Sequence, residues 1–75
     1  MRLRWTPAGQ GREGTVSDRG GYAVAPVNVP GGRVAWQVSR DGVSASALLF
    51  KSERQGQRLA EWDHAVLRQA RERAR

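Results

Sequence analysis

His64 is the only histidine in the chain, and it directly follows Asp63, so this pair is the first candidate for catalytic chemistry. A carboxylate that orients an imidazole can support general acid–base catalysis. Neighbouring residues on a helix point about 100° apart, so these two side chains do not form a dyad with each other. The chain has no cysteine, and one histidine is too few for an ordinary zinc site. We therefore expect no enzyme activity, no metal and no cofactor.

A glycine motif, GQGREG at residues 9–14, matches the G-x-G-x-x-G pattern of dinucleotide-binding sites. In those sites the glycines lead from a strand into a helix whose N-terminal amides bind pyrophosphate. Here the next residues, TVSDRGG, have the composition of a brief strand and a turn. We interpret the motif as a loop and expect no small-molecule substrate.

Arginine is the remaining feature with binding chemistry. The chain carries 13 basic and 7 acidic residues, and 12 of the basic residues are arginine. A net charge of +6 favours a polyanionic partner, either nucleic acid or a nucleoprotein complex. A GC-rich genome also enriches arginine without selection for binding, and the composition leaves both explanations open. The candidate partner-binding residues lie on the predicted helix and sheet: Arg33, Gln37, Arg40, Arg54, Arg58, Arg68 and Arg71.

The best-specified element is a β-hairpin over residues 33–50. Asp41-Gly42 is a strong signal for a two-residue type I′ turn, and it would pair Arg40 with Val43. Continuing this register pairs Trp36 with Ala47 on an apolar face. The outward face then receives Gln37 with Ser46 and Arg33 with Phe50. We expect Arg33 and Arg40 at the two ends of that outward face.

The preceding strand leaves two registers open. A two-residue Gly31-Gly32 loop would turn Ala23 and Val27 toward the core, whereas a three-residue loop would turn Tyr22 and Val24 there. The larger side chains favour the second register.

The C-terminal segment predicts a helix that begins with the capping box Ser52-x-x-Gln55. A helical period predicts an apolar face, and Asp63 falls within that face as the one misfit. Its carboxylate either reaches solvent or pairs with an arginine of the sheet, or else part of the helix meets a partner. The residues predicted to form the apolar face are Leu59, Trp62, Val66 and Ala70, and the predicted core includes Trp5, Trp36 and Trp62.

Together these elements predict an α+β fold: a three- or four-stranded antiparallel meander with one C-terminal helix packed across one face. We expect a single domain over residues 1–75, with strands at about 2–6, 21–28, 33–39 and 43–50, and a helix at about 53–73. No signal peptide or apolar span is present. We therefore expect a soluble chain without membrane contact, located in the cytoplasm.

Two resemblances extend this interpretation. The run WQVSRDG followed by FKSERQGQRLA resembles the sheet-plus-helix DNA-binding domain of ethylene-response factors and integrase arms, with Phe50, Gly56 and Ala60 at the matching spacings. That resemblance implies DNA contact through arginine and tryptophan on the sheet. Here the corresponding face offers Gln37 and serines instead, with arginines only at its ends.

The second resemblance spans the chain. LRWTP, GGYAVAPV, AWQV and FKS…LAEWDHA resemble small phage or prophage proteins, a group that includes anti-CRISPR inhibitors. It implies a stand-alone, non-enzymatic binder that blocks a host protein or nucleoprotein complex in the bacterial cytoplasm, with a CRISPR effector as one candidate. The alternative is a small nucleic-acid-binding module whose arginines contact the phosphates of DNA or RNA. A homodimer through an exposed edge strand is a third interpretation.

Overall fold

One helix crosses one face of a five-stranded antiparallel sheet in which the strands follow chain order. The computed structural model of the chain describes residues 3–9, 11–45 and 49–74. The α+β class is confirmed. The sheet has more strands than the predicted three or four, because the brief strand indicated by TVS forms at residues 15–17 and joins the sheet. The elements are β1 (Trp5–Pro7), β2 (Thr15–Ser17), β3 (Tyr22–Val29), β4 (Arg33–Arg40), β5 (Val43–Ser44) and α1 (Glu53–Arg73).

The β3–β4 hairpin is the longest pairing in the sheet. Val29 pairs with Arg33, so the loop between them has three residues, 30–32. This register confirms the alternative that turns Tyr22 and Val24 toward the helix. Both side chains are buried, and Val24 lies directly opposite buried Val38.

The β4–β5 hairpin begins as predicted but then changes register. Arg40 pairs with Val43, and the turn between them has positive φ at Asp41 (52°) and Gly42 (82°). Strand β5 ends at Ser44, and the chain next pairs at Phe50 with Trp36, whose amides and carbonyls exchange hydrogen bonds of 2.8 and 2.9 Å.

The predicted pairs of Trp36 with Ala47 and of Arg33 with Phe50 are therefore wrong. Phe50 lies three positions beyond the predicted partner of Trp36, and an odd shift exchanges the two faces of a strand. The shift brings the Phe50 ring to the helix side, where it packs against the core. Residues 46–48, which include predicted partners of β4, lie outside the described residues.

The core is small and lies between the helix and the middle of β3 and β4. Its buried members are Leu3, Tyr22, Val24, Val38 and Ala60, with Trp5, Trp36, Ala45, Phe50 and Leu59 packed around them. Gly56 is also buried, directly above Val24 and Val38. Because neither Gly56 nor Ala60 has a large side chain, the helix backbone lies close to the sheet.

The predicted buried face of the helix is wrong, because the helix is rotated about its axis relative to the prediction. Gly56 and Ala60 face the sheet, whereas Trp62 is 63% exposed and Val66 is 42% exposed. Trp62 is therefore not part of the core, whereas Trp5 and Trp36 do pack against the core. The physical reason is closeness: a helix that places glycine and alanine over two valines approaches the sheet more closely than one that places tryptophan there.

Helix α1 begins where the capping box predicts. The Ser52 side chain accepts a hydrogen bond from the Gln55 amide at 3.3 Å, and the Gln55 side chain accepts one from the Lys51 amide at 3.1 Å. Every residue from Arg68 to Ala74 is exposed, so the last turns of the helix extend past the sheet. Within the described residues, no helix has the length and apolar character needed to cross a membrane.

Replacing Gly56 with alanine is expected to destabilise the fold even though glycine is a poor helix former. An added Cβ would lie 2.8 Å from Val24 Cγ1 and 3.2 Å from Val38 Cγ2, and branched valines cannot move aside freely. The gain in helix propensity is about 1 kcal/mol, and overpacking of this kind costs about 1–3 kcal/mol. We expect a net loss of about 1 kcal/mol in the free energy of unfolding, measured by urea denaturation.

The control for this substitution is Gln69→Ala at an exposed position of the same helix, where we expect a change within about 0.5 kcal/mol. A Gly56→Ala protein as stable as the original, or more stable, would show that the helix does not depend on this close approach.

Candidate functional site

A cleft of about 830 Å³ opens at the end of the sheet where Tyr22 pairs with Arg40. Its walls are the C-terminal half of the helix, the β2–β3 turn and the β4–β5 turn. We call it the arginine cleft, after Arg19, Arg40, Arg68 and Arg71. The remaining lining residues are Gly20, Tyr22, Asp41, His64 and Leu67.

Three separate segments supply these arginines. Arg19 lies in the turn between β2 and β3, and Arg40 is the last residue of β4. Arg68 and Arg71 are three residues apart on the helix, a spacing that places them on one side. They belong to the part of the helix that extends past the sheet, so the turns and the helix face each other across open space.

Asp63 connects the helix to this end of the sheet. Its Oδ2 accepts a hydrogen bond of 2.5 Å from the Tyr22 hydroxyl and one of 3.1 Å from Arg40 Nη1. The interpretation in which Asp63 pairs with an arginine of the sheet is thereby confirmed. Burial of the ring, followed by the hydrogen bond to Asp63, raises the pKa of Tyr22, and the neighbouring Arg40 partly opposes that rise.

His64 packs against the same tyrosine rather than against Asp63. The two rings meet edge to face, with centroids 6.1 Å apart and an interplanar angle of 89°. Gly20 has a φ of 79°, and a Cβ there would lie 2.7 Å from the Tyr22 ring and 3.1 Å from His64 Nδ1. A glycine is therefore required where the β2–β3 turn closes over the two rings.

The seven predicted contact residues divide among three surfaces. Arg40, Arg68 and Arg71 line the arginine cleft, whereas Arg54 and Arg58 line a second, smaller cleft beside Leu3 and Trp5. Arg33 and Gln37 lie on the opposite face of the sheet, where Gln37 Nε2 is 3.5 Å from Ser44 Oγ.

The expectation that Arg40 ends the outward sheet face is wrong. In β4 it lies an even number of residues from Val38 and Trp36, so its side chain is on the helix side and reaches Asp63. Arg19 was not predicted as a contact residue. Its sequence context, DRGG, indicates only a turn, and no local pattern reveals that this turn meets the helix.

The second cleft is bounded by polar contacts that attach the helix to the N-terminal strands. The Leu3 amide donates to Glu61 Oε2 at 3.0 Å, and Gln57 Nε2 donates to Thr15 Oγ1 at 2.9 Å. Trp5 Nε1 is buried without a hydrogen-bond partner among the described residues. These contacts are structural, because they hold α1 against β2 and against Leu3, which precedes β1.

A third surface consists of apolar side chains on the outside of the helix. Leu59, Trp62 and Val66 recur at spacings of three and four residues and form what we call the apolar stripe. None of the three lines either cleft. Leu59 is partly buried against the core, whereas Trp62 and Val66 are exposed.

Comparison with known proteins yields no match: no protein-family model, no curated protein and no solved structure is similar to this chain. Function is therefore inferred from the surfaces themselves.

Tyr22 is the only tyrosine in the chain, so phenolate absorbance at 295 nm follows this one group. We expect its pKa to lie above the ordinary value of 10.0 and to fall in Asp63→Asn, because the substitution removes a negative charge beside the hydroxyl but leaves Arg40. Glu72→Gln removes one carboxylate from an exposed position of the same helix and should leave the pKa unchanged.

The same shift predicts how stability depends on pH. Because the pKa of Tyr22 is raised in the folded state, the unfolded chain releases its proton first as the pH passes 10. This contribution to stability is complete below that pH and is lost as the pH rises toward the folded-state pKa. A pKa for Tyr22 at or below 10, or one that rises in Asp63→Asn, would contradict the contact with Asp63.

Proposed function

We propose that this chain is a non-enzymatic interaction protein that binds a protein partner through the apolar stripe. The observation that carries the proposal is Trp62, a large aromatic side chain that is 63% exposed on a helix held firmly against the sheet. The fold does not use it for packing, since Gly56 and Ala60 make the close contact with the sheet. Exposed tryptophans on rigid elements are typical anchors of protein interfaces.

Burial of Trp62 in an interface would contribute enough free energy for an anchor residue. Burying the exposed part of a tryptophan in a partner's pocket contributes about 2–4 kcal/mol, at roughly 25 cal/mol per Å² of apolar surface. Val66 and Leu59 extend the same surface by one helical turn in each direction. A partner with a matching apolar groove would therefore gain most of its affinity from three side chains.

The class of partner follows from charge and from the resemblance to small phage proteins. A chain of net charge +6 favours an acidic partner surface and argues against mimicry of DNA, which would require acidic residues. The resemblance to phage inhibitors favours a host macromolecular complex that is blocked by binding, and a CRISPR effector is one candidate. The proposed site of action is the bacterial cytoplasm.

Several features support a role without catalysis. Within residues 3–9, 11–45 and 49–74, no group of three or more histidine, cysteine, aspartate or glutamate side chains is arranged to hold a metal ion. His64 makes a ring contact with Tyr22, and Asp63 is already engaged by Tyr22 and Arg40. Asp63 and His64 therefore do not supply a base that is oriented toward a nucleophile.

Contact with nucleic acid is the second candidate, and the distribution of the arginines restricts it. The predicted arginines do not share one face: one pair lines the smaller cleft, Arg33 lies on the far side of the sheet, and the rest line the arginine cleft. A phosphate backbone that follows the whole helix is not supported by this arrangement. In the arginine cleft, basic side chains from separate segments converge.

The apolar stripe is tested by affinity capture from a host lysate with tagged wild type, Trp62→Ala and Val66→Ser. We expect wild type to retain a defined partner and both variants to lose at least about tenfold in its recovery, in line with the loss of an interface anchor. All three proteins should unfold at the same urea concentration within error, because the replaced side chains lie outside the core.

The matched control is Val34→Ser, the same change as Val66→Ser at a residue that is 53% exposed on β4, outside the helix. Equal recovery of the partner by Trp62→Ala and wild type would contradict the proposal, as would an equal loss in Val34→Ser. Sedimentation of the purified chain tests the homodimer interpretation, because a homodimer would form in the absence of any other partner.

A further inference from the structure

We propose that the arginine cleft is a binding site for phosphate groups. The fold brings Arg19 in the β2–β3 turn and Arg40 at the end of β4 toward Arg68 and Arg71 on the helix, around one concave surface. Guanidinium groups from separate segments that converge on one concave surface favour an anion there. Asp41 is the only acidic residue among the lining residues.

Within the described residues, three of the four cleft arginines have a carboxylate nearby. Asp63 binds Arg40 at 3.1 Å, but Asp18 is 3.8 Å from Arg19 and Glu72 is 3.6 Å from Arg68, both in exposed pairs. Exposed pairs of this kind contribute little and exchange readily. Arg71 has no ion pair within the described residues.

Asp41 is a counter-charge for the neighbouring Arg40, and its carboxylate also packs against the other turn. Its Oδ1 lies so close to Gly21 that a Cβ on that glycine would overlap it, so the carboxylate is packed against the backbone of the β2–β3 turn. The Asp41 amide in turn donates to the Gly21 carbonyl at 2.9 Å. This residue therefore joins the two turns that carry Arg19 and Arg40.

Arg40 is held in place before any ligand arrives. Asp63 contacts it through Nη1, and a guanidinium has further N–H donors for a second acceptor. A planar guanidinium suits the paired oxygens of a phosphate, and several arginines around one cleft suit an anion with more than one charge. A volume of about 830 Å³ accommodates more than a single phosphate group.

This site is separate from the apolar stripe, because no residue of Leu59, Trp62 and Val66 lines the cleft. Loss of phosphate binding would therefore leave the proposed protein contact untouched, and the reverse also holds. The ligand is either a free phosphate compound or the backbone of a nucleic acid, which share the same chemistry.

The test compares Arg19→Gln/Arg71→Gln with Arg54→Gln/Arg58→Gln. Both double variants reduce the net charge by two, from +6 to +4, but only the first changes the arginine cleft. Binding is followed by fluorescence anisotropy of a labelled oligothymidylate at two salt concentrations, and by calorimetry with pyrophosphate. We expect the first variant to lose about tenfold in affinity and the second less than about threefold.

The salt dependence gives a second readout. Two lost phosphate contacts should lower the slope of log affinity against log salt by about 1.4 for a single strand, whereas the control should keep the original slope. The single variant Arg71→Gln, at an exposed helix residue, gives the same direction of change and serves if the double variant unfolds.

The affinities for the two ligands show whether the cleft binds a nucleic-acid backbone or a free phosphate compound. An oligonucleotide that binds at least tenfold more tightly than pyrophosphate identifies a nucleic-acid backbone, and comparable affinities identify a free phosphate compound. The proposal is overturned if neither ligand binds to wild type at low salt, or if both double variants lose affinity equally, since the effect would then be net charge alone.

Discussion

The close contact of Gly56 and Ala60 with Val24 and Val38 determines the rest of this structure. It brings the helix backbone near the sheet, and it fixes the rotation of the helix about its own axis. Once those small residues face the valines, Asp63 must point toward the sheet and Trp62 must point away from it. The polar link to the sheet and the exposed tryptophan are therefore two consequences of a single packing choice.

A core this small needs support at its margins, and polar contacts supply it on both sides of the helix. Glu61 and Gln57 attach it to the N-terminal strands, while Asp63 attaches it to Tyr22 and Arg40 at the far end of the sheet. Each of these contacts joins residues that are distant in sequence. They restrain the helix at several points along its length, which explains how a chain of 75 residues can present rigid surfaces.

The parts of the fold that follow local rules are predictable from the sequence. The turn at Asp41, the capping box at Ser52 and the length of the helix depend on residues a few positions apart. The rotation of the helix is not predictable in this way. Hydrophobicity favours tryptophan over glycine at a buried position, whereas close approach of the helix to the sheet favours glycine. The pairing of Phe50 with Trp36 and the meeting of Arg19 with the helix depend on contacts that no local pattern encodes.

The arginine cleft depends on the length of the helix relative to the sheet, whereas the exposure of Trp62 depends on the rotation of the helix. A helix that stopped above Tyr22 would cover the core equally well, but it would carry neither Arg68 nor Arg71 beyond the sheet's end. A polar residue in place of Trp62 would likewise leave the core unchanged, since that side chain lies outside it. Both features exceed what folding requires, and the two proposals rest on that excess.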